Sequence, residues 1–122
     1  MLLTNLTIVE SGQKHFLGEG KTKGAILENI FGMFTYFKTN TTFDFVSNIC
    51  ANVSSLTAGR RFMVDSGLLP QVIDVILDQA NCNEHRRKNL LATVRNSCFE
   101  YEDYQIDFEK MDLVGKLIKL LV

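Results

Sequence analysis

Apolar residues along this chain recur at helical spacing. From Phe43 they fall at Val46, Ile49, Cys50, Val53 and Leu56, the i, i+3, i+4, i+7 stripe of an amphipathic helix. Asn40, Thr41 and Thr42 stand just before it as N-cap candidates. A second series, Leu69, Val72, Ile73, Ile76 and Leu77, follows Ser66-Gly67. Its Pro70 falls in the first turn, where a missing N–H costs nothing. A third runs through Leu90, Leu91, Val94 and Cys98, behind Asn81 and Asn83 as possible caps, and residues 24–37 predict one more helix. No segment alternates with period two between hairpin turn residues, so the pattern predicts an all-α chain.

The stripes also repeat. Asn5-Leu6-Thr7 followed by Ser11-Gly12-Gln13 aligns without a gap on Asn52-Val53-Ser54 followed by Ala58-Gly59-Arg60. A third copy starts at Asn96-Ser97-Cys98 and reaches Tyr104 without the glycine. Downstream, Leu68-Leu69-Pro70-Gln71-Val72-Ile73 matches Leu113-Val114-Gly115-Lys116-Leu117-Ile118. Helical repeats with a period of roughly 40–47 residues mark armadillo or HEAT architectures. The expected fold is therefore one domain over residues 1–122, a right-handed armadillo/HEAT-like solenoid of about two and a half repeats. The units run over residues 1–37, 40–80 and 83–122. Such repeats bury their faces only against neighbours. Apolar edges are thus expected at both ends, including the last helix at Leu120-Leu121-Val122, as in the middle of a longer solenoid or one that needs a partner at each end.

Composition narrows the function. Apolar residues make up 46% and Lys+Arg 13 against Asp+Glu 14 leave a net charge of −1. That argues against disorder and against bulk attraction to nucleic acid or anionic membranes. The most apolar segment, from Leu113, is too short to span a bilayer and carries Lys116 and Lys119. Met1-Leu2-Leu3-Thr4-Asn5 does not read as a signal peptide. Three cysteines without metal-ligand spacing fit a reducing, cytoplasmic setting with neither disulfide framework nor zinc. The sequons at Asn5, Asn40 and Asn52 then carry no weight.

Candidate chemistry is sparse. Gly18-Glu19-Gly20-Lys21-Thr22 resembles the tail of a phosphate loop but lacks the upstream glycine and strand, so it reads as a flexible loop. His15 and His85 sit in no catalytic motif. Cys50 and Cys98 lie on apolar faces and read as core, while Cys82 falls in a loop and is expected to be exposed. Glu100, Glu102, Asp103, Asp107, Glu109 and Asp112 read as a solvated turn between helices. No catalytic residue, metal or cofactor is expected. The basic positions Arg60, Arg61, Arg86, Arg87 and Arg95 read either as a solvated face or as a patch for an acidic protein surface, since guanidinium forks bind carboxylates bidentately.

Asn5, Asn52 and Asn96 recur at one repeat position. In armadillo proteins this asparagine can bond a peptide backbone in the groove; alternatively it holds its own repeat. Import adaptors place a tryptophan four residues earlier. Here those positions are Met1, Asn48 and Ala92, which argues against recognition of nuclear localisation signals.

The block Phe43-Asp44-Phe45-Val46-Ser47-Asn48-Ile49-Cys50-Ala51-Asn52-Val53-Ser54, with Gly59-Arg60-Arg61-Phe62, resembles the central repeat of the Hgh proteins. So does Arg86-Arg87 followed by Val94-Arg95-Asn96-Ser97-Cys98-Phe99-Glu100 and Tyr104. The resemblance runs from Met1 to about Tyr104. It implies a cytosolic, non-catalytic armadillo chaperone that assists the folding of translation elongation factor 2 and links it to the cytosolic chaperonin. On that reading Asn52 and Asn96 engage client backbone. The five arginines pair with client carboxylates or tie adjacent repeats together. The alternative is a generic armadillo scaffold that binds peptides or proteins in transport or signalling.

Overall fold

Each apolar stripe becomes the buried face of a helix. The computed structural model describes residues 2–20 and 23–120, and every regular element among them is helical. The helices are α1 Leu2–Leu6, α2 Glu10–Leu17, α3 Ala25–Tyr36, α4 Phe45–Val53, α5 Thr57–Asp65, α6 Leu68–Leu77, α7 Glu84–Ser97, α8 Tyr101–Lys110 and α9 Leu113–Lys119. Met1, Lys21, Thr22, Leu121 and Val122, which enter the expectations above, lie outside the described residues.

The predicted caps fall into two kinds. Asn40 accepts the Thr42 N–H at 3.0 Å and starts the short 3-10 turn Thr41–Phe43 that leads into α4. Asn83 accepts the Arg86 N–H at 2.9 Å and caps α7. Asn81 instead donates to the Asp78 carboxylate, tying back the turn before α7. Pro70 sits in the first turn of α6, where no intrahelical N–H is missed.

One apolar cluster runs through the chain. Leu27, Phe31 and Phe34 of α3 enter it, with Ile49, Cys50 and Val53 of α4 and Leu69, Val72, Ile73 and Ile76 of α6. Leu90 and Val94 of α7, then Phe108 and Leu113, continue it. Fully burying a side chain of this size contributes about 1.5–3 kcal/mol. Gly24 is needed where α3 begins: its φ is +77°, and an added Cβ would lie 1.9 Å from the Phe62 ring.

Equivalent segments of the sequence fold into equivalent elements. Asn5, Asn52 and Asn96 fall on α1, α4 and α7. Helix α4 lies between α1 and α7 and touches both, while α6 touches α7 and α9. The paired glycines explain themselves. A Cβ on Gly12 would stand 1.7 Å from the Leu6 carbonyl oxygen, and one on Gly59 would stand 2.0 Å from that of Val53. In both copies the next helix crosses directly over the carbonyl one residue after the asparagine. The third copy has Asp103 there. It inserts a 3-10 turn, Cys98–Glu100, before α8, which is kinked at Tyr104.

Two local expectations are corrected. Cys82 is not exposed: only 3% of it reaches solvent, because the turn after α6 folds inward. The acidic run is not a turn between helices, since Tyr101–Lys110 is helical and carries Glu102, Asp103, Asp107 and Glu109. Apolar side chains are exposed at both ends of the series, Leu2, Leu6, Ile8 and Val9 at one and Leu91, Phe99, Val114 and Ile118 at the other. No described helix is long and apolar enough to cross a membrane.

Candidate protein-binding surfaces

The recurrent asparagines form a polar ladder between repeats. The Asn52 amide nitrogen donates to the Thr7 hydroxyl at 3.1 Å and to the Thr4 carbonyl at 3.3 Å. The Asn96 amide donates to the Ser54 hydroxyl at 3.0 Å. Thr7 and Ser54 each stand two residues after the asparagine of their own copy. Each asparagine therefore reaches back to the hydroxyl of the repeat before it. Both amide hydrogens of Asn52 are used in this way. Cys98 holds the hydroxyl position in the third copy and is half-buried.

A second rung lies beside the first. Gln13 donates to the Thr7 carbonyl at 2.9 Å and reaches forward to the Ser55 hydroxyl at 3.0 Å. Arg60, its counterpart in the alignment, donates to the Ser54 carbonyl at 3.3 Å and the Ser55 carbonyl at 3.0 Å, and reaches forward to Glu100 at 3.0 Å. The Arg60 and Glu100 side chains are mostly shielded, so this pair resists salt better than a surface bridge. Arg61 pairs with Glu100 at 3.3 Å and with Asp103, and lies over the Tyr104 ring. The Asp103 hydrogen bond raises the Arg61 pKa. Burial, then a 3.1 Å bond to Asp65, raises that of Tyr104.

The structure separates the neighbouring arginines of α7. Arg86 is 2% exposed. Its Nε donates to the Asp44 carboxylate, Nη1 to the Lys38 carbonyl at 2.6 Å and Nη2 to the Asn40 carbonyl at 2.8 Å. The guanidinium also lies 4.3 Å from the centre of the Phe34 ring. Asn83 holds the other Asp44 oxygen at 3.0 Å. Arg86 thus belongs to the interior, where it joins the start of α7 to the segment between α3 and α4. Arg87 and Arg95 are exposed, and neither side chain has a hydrogen bond or ion pair among the described residues.

The residues singled out in the sequence do not form one patch. Arg60 and Arg61 lie with Glu100, Arg86 lies inside, and Arg87 borders an apolar groove between α7 and α9. A separate cavity of about 650 Å³ is lined by Thr4, Thr42, Asp44, Phe45, Asn48 and His85. There His85 Nε2 meets Asn48 Oδ1 at 2.6 Å. Asp44, Gln13 and the Asn48–His85 pair were missed as polar positions. The alignment already set Gln13 against Arg60 and Thr7 against Ser54, which is the signal that would have found the ladder.

All three cysteines are free. Burial pushes the Cys50 thiol up to about 12, and raises those of Cys82 and Cys98 as well. None is an activated thiolate. Among the described residues no group of three His, Cys, Asp or Glu side chains could hold a metal ion.

These features define an all-helical protein with a threefold internal register and polar bonds between successive copies. The chain belongs to the family described as a domain of unknown function, DUF383, whose model matches residues 1–122. No curated protein and no solved structure matches it.

Proposed function

We propose that this chain is a non-catalytic, armadillo-like solenoid that holds a protein client in the cytosol. The observation that carries the reading is the ladder of Asn52 to Thr7 and Asn96 to Ser54. The same bond in successive copies supports a stacked repeat array, in which each copy buries its face only against the next. The resemblance of the Arg86-Arg87 and Arg95-Asn96 blocks to Hgh proteins supplies the client: translation elongation factor 2, handed between this scaffold and the cytosolic chaperonin.

Within this reading the five arginines divide by role. Arg60, Arg61 and Arg86 tie repeats together, because their guanidinium groups are engaged inside the chain. Arg87 and Arg95 keep open forks and serve client carboxylates. Asn52 holds the stack with both amide hydrogens, and its carbonyl oxygen alone is left for a client N–H.

The test is capture from a eukaryotic lysate on immobilised chain whose helicity has been checked, read by mass spectrometry. Elongation factor 2 or chaperonin subunits should be enriched, and Arg87→Ala with Arg95→Ala should lower that enrichment at unchanged helicity. A folded chain that enriches neither overturns the assignment. The cavity beside Asn48 and His85 favours one alternative, an adaptor for extended peptides. Binding of short peptides on an array, abolished by Asn48→Ala, would establish that reading instead.

A further inference from the structure

A cleft of about 250 Å³ opens between α3 and α6, the helices that precede α4 and α7. Its walls and floor all come from residues 34–86, so neither end of the chain contributes to it. The corresponding gap one copy further on is closed: α6 packs on α9, and Lys116 of α9 reaches Asp74 at 3.8 Å. No comparable packing joins α3 to α6.

The cleft has a cationic floor and an anionic rim. Phe34 and Arg86 form the floor, 1% and 2% exposed, with the guanidinium stacked over the ring. A guanidinium carries five N–H donors. Asp44 and the Lys38 and Asn40 carbonyls engage three of them, so each Nη keeps one hydrogen without a partner among the described residues. Asp44, which balances the charge of Arg86, does not line the cleft. At the rim, Asp74 and Asp78 stand four residues apart on α6, with Val75 between them as an apolar wall. Their ion pairs, Asp74 with Lys116 at 3.8 Å and Asp78 with Lys38 at 3.9 Å, lie at the outer limit of such contacts and are open to water.

We propose that this cleft binds a small zwitterion, an α-amino acid with an apolar side chain. The carboxylate takes the spare Nη hydrogens of Arg86, with the Lys38 ammonium beside it. Hydrogen bonds between ionised partners are the strong ones, and shielding at the floor strengthens them further. The ammonium of the ligand meets Asp74 and Asp78, and its side chain lies against Phe34 and Val75. Both charges are needed. An anion alone is opposed by the two rim carboxylates, and a cation alone is opposed by the guanidinium beneath it. The inference rests on the cleft between α3 and α6, independently of any client.

The test is a nuclear magnetic resonance titration of the whole nitrogen-labelled chain with L-leucine at neutral pH. The backbone amide signals of Thr35, Val75 and Asn81 should shift and saturate. N-acetyl-leucine lacks the ammonium and leucinamide lacks the carboxylate, so each should bind roughly tenfold or more weakly than leucine, the loss expected for one charged hydrogen-bonding group. Thr35→Trp fills the cleft and should abolish the shifts at unchanged helicity. If that variant loses helicity, Val75→Phe replaces it. Three results would overturn the inference: no saturable shift of these amides with leucine, either analogue binding as tightly as leucine, or a folded cleft-filling variant that binds leucine as the wild type does.

Discussion

Arg86 on α7 and Asp44 before α4 form a shielded ion pair between two successive copies of the repeat. Three elements meet there, since the same guanidinium holds the Lys38 and Asn40 carbonyls that follow α3. Removing it strands two carbonyls and a carboxylate that, among the described residues, retains only Asn83 as a side-chain donor. Arg86→Ala should therefore cost about 3–5 kcal/mol, the range for breaking one half of a buried pair. Arg87→Ala, one residue on and exposed, should stay within about 0.5 kcal/mol of wild type. Urea unfolding of the two variants measures the contrast. Equal losses would mean that Arg86 is not the anchor.

The ladder predicts energetic coupling. Asn96→Ala and Ser54→Ala each remove one side of a 3.0 Å bond between α7 and the end of α4. Each should destabilise by about 0.5–1.5 kcal/mol, and the double variant should cost less than the sum of the two. Strict additivity in a double-mutant cycle would show that the bond contributes nothing.

Two glycines should respond to alanine with opposite signs. At Gly59 the new Cβ would fall 2.0 Å from the Val53 carbonyl, a backbone atom that cannot move aside without displacing α4 from α5. Overpacking of this kind costs about 1–3 kcal/mol or more. At Gly32, inside α3, nothing lies within 4 Å. Gly32→Ala should stabilise by about 0.5–1 kcal/mol, because glycine is a poor helix former. Thermal melts followed by circular dichroism separate the two.

The cysteines predict both reactivity and a pH slope. Alkylation at neutral pH should be slow throughout, with Cys98 first and Cys50 last, because burial raises all three thiols. Stability should fall as pH rises above the ordinary thiol value of 9.0 toward the folded-state value of about 12 for Cys50. In that window the unfolded chain has lost the thiol proton and the folded chain still holds it. The slope is then negative, near 1.4 kcal/mol per pH unit. Denaturant midpoints at pH 8, 9 and 10 test it, and a flat profile would contradict the burial of Cys50.

The helices were legible wherever an apolar stripe was wide. α4, α6 and α7 were readable because Ile49, Ile73 and Leu90 each belong to a run of inward positions. α8 was missed because only Phe108 is buried along it, so acidic residues dominated its pattern. Arg86 and Arg87 looked alike because charge alone does not say which neighbour faces inward. Their spacing does: Arg86, Leu90 and Val94 stand four apart on one stripe, and Arg87 stands on the next face around. Cys82 was misread because a residue in a turn between helices belongs to no apolar stripe, so its burial at 3% exposure leaves no periodicity in the sequence. The asparagine positions were visible in the repeat, but their partners emerged only when the helices were set side by side.

The Asn–hydroxyl rungs have a mechanical consequence. Apolar helix faces tolerate sliding, since a shift of one turn, 5.4 Å, brings similar side chains into contact. An amide aimed at one hydroxyl does not tolerate it. Pulled along the helix axes, neighbouring copies would hold at one setting, release abruptly when a rung breaks, and find no second setting that restores it. The rungs act as detents: they add little to the total cohesion between the helices, yet they decide at which single offset that cohesion is expressed.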